Sequence, residues 1–160
     1  MLTTAQLATL KAAILADPVL AAQPDDGNGL GFIADAMNAV SVPAFTVWKT
    51  SVFIKDVGDN IVGNDLAGLS TLNNTRLQTA VMMAAGGLNP SLVDRRFFFD
   101  DIFSGAGGTA TRAKLLILWK RLALRIEKIL AVGTGTDAAP ATLTFEGTIT
   151  ANDVDTARRS

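Results

Sequence analysis

The longest amphipathic segment of the sequence runs from Thr109 to Val132, between the glycine-containing stretch Gly105–Gly108 and Gly133. Its large apolar residues recur every three or four positions, which is the spacing of one helix face. Thr109 can cap the first turn, and Gly133 can end the last turn. The segment therefore predicts a long central helix over 109–132. The apolar face of this helix contains Leu115, Leu118, Trp119, Leu122, Ile126, Ile129 and Leu130.

Shorter helices are predicted on both sides of this segment, so the fold class is mainly α, a helical bundle. The first begins after Thr3, which can form a capping box with Gln6. A final short helix begins after Thr150 in the same way. Residues 44–57 combine β-branched and aromatic types with helical spacing and are assigned to helix or irregular structure. The first helix spans 3–16, and the other predicted helices span 32–40, 70–86 and 91–105.

The segment from 141 to 150 has a different pattern. Leu143, Phe145 and Ile149 alternate with threonine and glutamate, which is the period of a strand. A lone strand or hairpin outside a helical body leaves N–H and C=O groups without partners. We therefore expect an extended C-terminal arm that pairs with another chain, with Leu143, Phe145 and Ile149 as its partner-binding residues.

The domain organisation follows from the residues before this strand. Residues 133–140 contain no large apolar side chain and predict a hinge. The chain is thus divided into a helical body, 1–132, and a hinge with the C-terminal arm, 133–160.

The composition limits the chemistry. The chain has no His, Cys or Tyr, which excludes catalytic triads, thiolate nucleophiles and the usual zinc sites. We predict no catalytic, cofactor-binding or metal-binding residues and no cofactor. Hydrophobic residues make up 49% of the chain and charged residues 18%, against about 25% in typical domains. This apolar excess indicates burial against other protein.

Basic residues are concentrated in the predicted central helix, which has six of them and a single acidic residue although the net charge of the chain is −1. Lys114, Arg121, Arg125 and Lys128 follow helical spacing and are expected to form one basic stripe. The stripe would face an acidic protein partner, passing DNA or solvent. A basic footprint over the whole surface is excluded by the net charge.

Several other patterns are weaker. The acidic pairs Asp25–Asp26 and Asp100–Asp101 leave a small hydrolase as one alternative, although adjacent carboxylates project in different directions. Two glycine-rich strings lack the rest of a nucleotide-binding motif and indicate hinges. Phe97–Phe99 with Phe103 is interpreted as core, with a docking cluster as the alternative. No signal peptide is predicted, because no positive charge precedes the apolar part of the N-terminal segment, and no run is long enough to span a membrane.

Three segments together resemble small proteins of tailed bacteriophages and prophages that are encoded among the head and neck genes. They are "MLTTAQLATLKAAILADP", "LAGLSTLNNTRLQ" with "NPSLVDRRFFFDDIFSG", and "WKRLALRIEKILAVGTGTDAAPATLTFEGTITANDVDTAR". Size and layout are similar to the head-completion adaptors of these phages. The resemblance implies a homo-oligomeric ring, about twelve copies in a closed symmetric assembly, that docks on the portal protein through a C-terminal extension.

The function expected from this resemblance is that of a non-enzymatic head–tail adaptor, or connector, in the neck of the virion. Its partners would be other copies of itself, the portal and further neck or tail proteins, with passing contact to packaged DNA and none to a membrane. Assembly would take place in the host cytoplasm. The alternatives are a DNA-binding accessory protein that uses the basic helix, a capsid decoration protein, a minor capsid protein and a tail terminator.

Overall fold

A computed structural model describes residues 1–84 and 86–160, which form two compact units. Unit 1 combines Met1–Val47 with Leu122–Ser160, and unit 2 is Trp48–Arg121. The described residues are mainly helical, which confirms the predicted fold class at this level. Their elements are α1 (Thr4–Ala16), α2 (Pro18–Ala21), α3 (Gly27–Asn38), β1 (Thr46–Trp48), α4 (Ile54–Asp59), α5 (Gly63–Ala67), α6 (Thr71–Met83), α7 (Val93–Ile102), α8 (Thr109–Leu118), β2 (Lys120–Leu122), α9 (Arg125–Leu130) and α10 (Ala151–Arg159).

The ends of the unit 1 helices follow local capping chemistry. At the start of α1, the Gln6 N–H donates to the Thr3 hydroxyl at 3.3 Å, and the Thr3 N–H donates to the Gln6 side chain at 2.9 Å. Thr150 and Asp153 form the same reciprocal pair at α10. Both predicted capping boxes are confirmed. At Asp17 the chain ends α1, and the Asp17 carboxylate caps α2.

The core of unit 1 lies between α1, α3, α9 and α10. Leu10 and Ile14 of α1 pack with Met37 of α3, Ile126 of α9 and Val154 of α10, all of them buried. The predicted helix over 32–40 begins earlier than expected, at Gly27. The Asp26 carboxylate accepts the N–H groups of residues 28 and 29, so a loop-like sequence is helical from its first capped turn.

The extended C-terminal arm is not confirmed, because residues 133–160 are part of unit 1. Within 141–150 only Ala141 and Thr142 form β-bridges, to Val47 and Val132 of the same unit. Farther along, Ile149 packs in the core that α10 completes, where it is 3% exposed. The predicted boundary at 132 therefore does not coincide with the division between the units.

Side chains of unit 1 form hydrogen bonds with part of the backbone of this C-terminal segment. The Asn38 amide donates to the Ile149 carbonyl at 2.8 Å and accepts its N–H at 2.9 Å. The Gln6 amide donates to the Thr144 carbonyl at 3.1 Å. The prediction of a partner strand assumed that only another backbone could supply such hydrogen bonds, but side chains do so here.

Glu127 of α9 is the most deeply buried carboxylate of the described residues, with 1% of its surface exposed. One oxygen accepts the Leu124 N–H at 2.9 Å, and the other accepts the Gly147 N–H at 3.0 Å. Gly147 has φ = 116°, a backbone conformation that favours glycine. Glu127 therefore joins the first turn of α9 to the C-terminal segment.

Unit 2 contains α4 to α8 around a second core. Phe99 and Phe103 from the region of α7 pack there with Leu115 of α8 and with Trp119, and the Phe99 and Trp119 ring centroids are 5.8 Å apart. Segment 44–57, assigned to helix or irregular structure although its residue types also fit a strand, contains strand β1 and the beginning of α4.

The single helix predicted over 109–132 is not found. Helix α8 ends at Leu118, residues 120–122 form β2 in an antiparallel two-stranded sheet with β1, and α9 begins only at Arg125. The Trp119 carbonyl accepts the Lys49 N–H at 2.8 Å, so the main chain here pairs along the sheet. This tertiary pairing overrides the helical period of the side chains.

Other helix ends differ less from the predictions. Ser70 caps α6, and the helix ends at Met83. Position 85, which the predicted helix 70–86 includes, lies outside the described residues. Helix α7 begins after Leu92 rather than at Ser91, because the Ser91 N–H and hydroxyl donate to the Asn89 side chain.

We predict that Glu127→Ala lowers the free energy of unfolding by roughly 2–5 kcal/mol, because it leaves two N–H groups in a buried site without their acceptor. Urea unfolding followed by circular dichroism would measure this loss, and amide exchange should show reduced protection of Gly147. The matched control is Asp35→Ala, which removes an exposed carboxylate from α3. Equal stabilities of the two variants would contradict the assigned role of Glu127.

Candidate protein-binding surface on α6 and α7

Helices α6 and α7 of unit 2 carry a group of exposed apolar side chains near the connection between them. Met82 and Met83 at the end of α6 are each about three-quarters exposed, and Leu92 before α7 is half exposed. Val93 and Phe97 on α7 are exposed as well. A group of large apolar side chains of this kind is typical of a surface that contacts another protein.

A groove of about 290 Å³ opens beside these residues between α6 and α7. Its α6 wall includes Ala80 and Ala84, whose short side chains leave space opposite the rings of Phe98 and Phe99. Met83 stands at its edge. We call this feature the α6–α7 groove; it is lined by Ala80, Met83, Ala84, Leu88, Leu92, Arg95, Phe98 and Phe99, with Gly87 and Asn89.

The segment before α7 is held in place by main-chain pairing. Leu88 and Val52 exchange two N–H···O hydrogen bonds, each 2.8 Å long. Gly87 precedes this bridge with φ = 112°. Arg96 donates to the Pro90 carbonyl, and its guanidinium lies 4.0 Å from the centre of the Trp48 ring. This end of the groove is therefore attached to the rest of unit 2 on two sides.

The charged residues around the groove differ in whether they have an ion-pair partner. Arg76 forms a 2.6 Å ion pair with Asp101 and lies 5.3 Å from the centre of the Phe98 ring, so its charge is already compensated. Arg95 lines the groove and Asp94 is exposed beside it on the helix, and neither has an ion-pair partner among the described residues. The groove thus offers a positive group beside apolar surface.

Burial raises the pKa of Asp100 on the same helix, and the nearby Arg112 and Arg96 only partly oppose this shift. The two carboxylates of the pair Asp100–Asp101 therefore have different surroundings, because Asp101 forms an ion pair with Arg76. Their arrangement does not give the two carboxylates facing each other across a cleft that glycoside hydrolysis needs.

The run of phenylalanines divides between core and surface. Phe99 and Phe103 are buried in unit 2, as predicted for a helical aromatic cluster, and Phe98 is half-buried in the wall of the groove. Phe97 instead is 66% exposed. Since Phe97 and Phe99 are two residues apart on a helix of 3.6 residues per turn, they project on nearly opposite sides.

The four residues of the predicted basic stripe do not share one helix. Lys114 lies on α8 and Arg121 in β2, both in unit 2, whereas Arg125 and Lys128 lie on α9 in unit 1. The stripe depended on a continuous helix over 109–132. Its division follows from the strand that interrupts this segment.

The two α9 cations have partners in unit 1. Arg125 forms a 2.7 Å ion pair with Asp17, and this hydrogen bond lowers the pKa of Asp17 against the opposing effect of desolvation. The Lys128 ammonium lies 5.7 Å from the centre of the Phe45 ring. On unit 1, both residues contribute to intramolecular contacts.

The predicted arm residues also contact their own unit. Ile149 is buried, Phe145 packs against the same core, and Leu143 packs against a small cluster formed by Val47 and Ala141 with other residues. The structure therefore brings these three residues into unit 1 rather than onto an extended strand.

The sequence provided only a partial signal for the groove. Val81 and Met82 lie within the predicted helix 70–86, and both are exposed. The useful signal was the succession of three phenylalanines, since neighbouring residues of a helix cannot all face one core. Ala80 and Ala84 carry no sequence signal of their own, because an alanine's place on a helix does not show that it faces a groove.

Among the residues that the structure describes, no group of three or more acidic side chains is placed to hold a metal ion. None of the described helices combines the length and apolarity required to cross a bilayer. Comparison with known proteins finds no family model, no curated protein and no solved structure that matches this chain.

We predict effects of very different size on the free energy of unfolding for two substitutions in the groove. Phe99→Ala should lower the free energy of unfolding by about 3–5 kcal/mol, because it leaves a cavity beside Trp119. Met83→Ala should change it by less than about 0.5 kcal/mol, because this side chain is mostly in solvent. Urea unfolding followed by tryptophan fluorescence measures both, since the two tryptophans lie in unit 2. A large loss for Met83→Ala would mean that the groove is closed in solution.

Proposed function

We propose that this protein is a structural component of a tailed-phage particle, a head–tail adaptor in the neck. In this proposal it forms a homo-oligomeric ring that contacts the portal protein and further neck or tail proteins, and DNA passes nearby. It has no catalytic role and takes no cofactor. It contributes binding surface to an assembly that forms in the host cytoplasm.

The observation that carries this proposal is the apolar surface on α6 and α7. Met83 and Leu92 are exposed beside a groove that has an aromatic wall. Phe97 is exposed on a different side of α7. Exposing such side chains to water is unfavourable, by about 25 cal/mol per Å² of apolar surface. Covering them by protein in an assembly removes this cost.

The resemblance of the sequence to phage head and neck proteins is the second support. It covers most of the chain in three segments, and the middle segment contains α7 with its phenylalanines. A small helical protein with exposed apolar surface is compatible with a ring in which each copy contacts its neighbours.

Portal binding through Leu143, Phe145 and Ile149 has a cost that the sequence did not reveal. These side chains would first have to leave their contacts in unit 1, including the core position of Ile149. The proposal therefore rests on the apolar surface of unit 2 and not on these three residues.

The experiment is a nonsense mutation of the gene in a phage that encodes this chain. We expect DNA-filled heads and complete tails that remain separate in electron micrographs, because the connecting ring is missing. Expression of the wild-type chain from a plasmid should restore joined particles. Antibody labelling of these particles should place the chain at the neck.

Other outcomes contradict the adaptor. Joined particles without the chain would show that it is not required for head–tail connection. Label over the capsid shell would indicate decoration, and label where the tail tube ends would indicate a terminator. Salt-sensitive binding of duplex DNA by the purified chain, with no label on particles, would favour the DNA-binding alternative.

A further inference from the structure

Helix α7 presents two complementary features on different sides. Phe97 is flanked at i−3 and i+4 by Asp94 and Asp101, so one side carries an aromatic ring between two carboxylates. We call this side the Phe97 ridge; it consists of Asp94, Phe97 and Asp101, with Val93 next to it. The α6–α7 groove lies on the side of Arg95, Phe98 and Phe99.

We propose that the Phe97 ridge of one copy binds in the α6–α7 groove of a second copy of this chain. The inference rests on the proposed homo-oligomer and names the contact that builds it. The Phe97 ring enters the groove, between the alanines of α6 and the Phe98 ring of the receiving copy.

The size of the groove fits this occupant. A cavity of about 150 Å³ lined by apolar side chains is large enough to take up benzene. The groove measures about 290 Å³, which leaves room for a phenylalanine ring and part of a second side chain such as Val93. Met83 at the edge is flexible and can cover the ring after it enters.

The charges of ridge and groove also match. Arg95 lines the groove, has no ion-pair partner among the described residues, and would meet the carboxylate of Asp94 from the second copy. Asp94 likewise has no partner in its own chain among these residues. A ridge with an unpaired carboxylate beside its aromatic ring thus fits a groove with a cation in its lining, whereas the other ridge carboxylate, Asp101, is already paired with Arg76.

The direction of the contact determines the kind of assembly. Because ridge and groove lie on different sides of α7, a copy whose ridge is bound still has an empty groove for the next copy. Such head-to-tail contacts continue from copy to copy and close into a ring when the rotation between copies allows it. A contact in which the same patch meets itself would stop at a dimer.

The test uses two variants of the full chain that damage opposite halves of the contact. Phe97→Lys removes the aromatic anchor, and a lysine there can pair with Asp94 of its own helix, so α7 is retained. Leu92→Asp places a carboxylate in the groove next to Arg95 and, before the first turn of α7, supplies a helix cap that Leu92 lacks. The control is Phe53→Lys, the same substitution at a phenylalanine that is 74% exposed elsewhere in unit 2.

In sedimentation, we expect the wild-type chain and Phe53→Lys to form oligomers of three or more copies. Each of the other variants alone should be monomeric at the same concentration, with an affinity lower by on the order of 30-fold or more, the effect of losing a central anchor. An equimolar mixture of Phe97→Lys and Leu92→Asp retains one intact ridge and one intact groove. This mixture should form a 1:1 dimer and nothing larger.

Three results would overturn the inference: a monomeric wild-type chain, oligomers of Phe97→Lys as stable as those of the wild type, or a mixture that stays monomeric. Circular dichroism checks that each variant is folded. If one is not, Phe97→Ala and Arg95→Glu replace the ridge and groove variants. Separate heads and tails in the nonsense mutant, together with normal oligomers of Phe97→Lys, would leave the adaptor function in place and reject this contact alone.

Discussion

Backbone polar groups that leave water need hydrogen-bond partners, and this requirement decides the path of the chain in both units. In unit 1, Glu127 and Asn38 accept the N–H groups of Gly147 and Ile149, so these two N–H groups of the C-terminal segment have acceptors without a strand partner. In unit 2, the Lys49 N–H finds its acceptor in the Trp119 carbonyl. The hydrogen bonds of Glu127 and Asn38 hold the C-terminal segment against its own unit. The hydrogen bond from Lys49 to Trp119 forms where α8 ends.

Both arrangements have consequences for where partners can bind. Because the C-terminal segment is fixed by side-chain hydrogen bonds and by burial of Ile149, its apolar residues pack against unit 1 itself. Because α8 and α9 are separate helices, Arg125 is free to reach Asp17 instead of extending a basic stripe. Exposed large apolar side chains occur in both units, and α6 and α7 of unit 2 carry several of them, among them Met82, Met83 and Phe97.

The parts of the fold that could be predicted from the sequence are those set by neighbouring residues. The capping box of Thr3 with Gln6 and that of Thr150 with Asp153 were both readable, because each depends on side chains three positions apart. The division of 109–132 was not readable, since its apolar spacing is helical throughout and only the pairing of β2 with β1 interrupts it. The groove was hidden for the same reason: its width depends on which alanines face which rings across two helices.

A stable core and a binding surface place opposite demands on α7. The buried Phe99 and Ile102 fix the helix against unit 2, and this leaves Phe97, two positions from Phe99, pointing into solvent. A polar residue at position 97 would serve a monomer at least as well, because an exposed aromatic ring adds nothing to the core and increases the tendency to aggregate. The Phe97 ring is therefore available for a contact of the kind proposed above, and a helix that is anchored on its opposite side would present it without a further cost in backbone entropy.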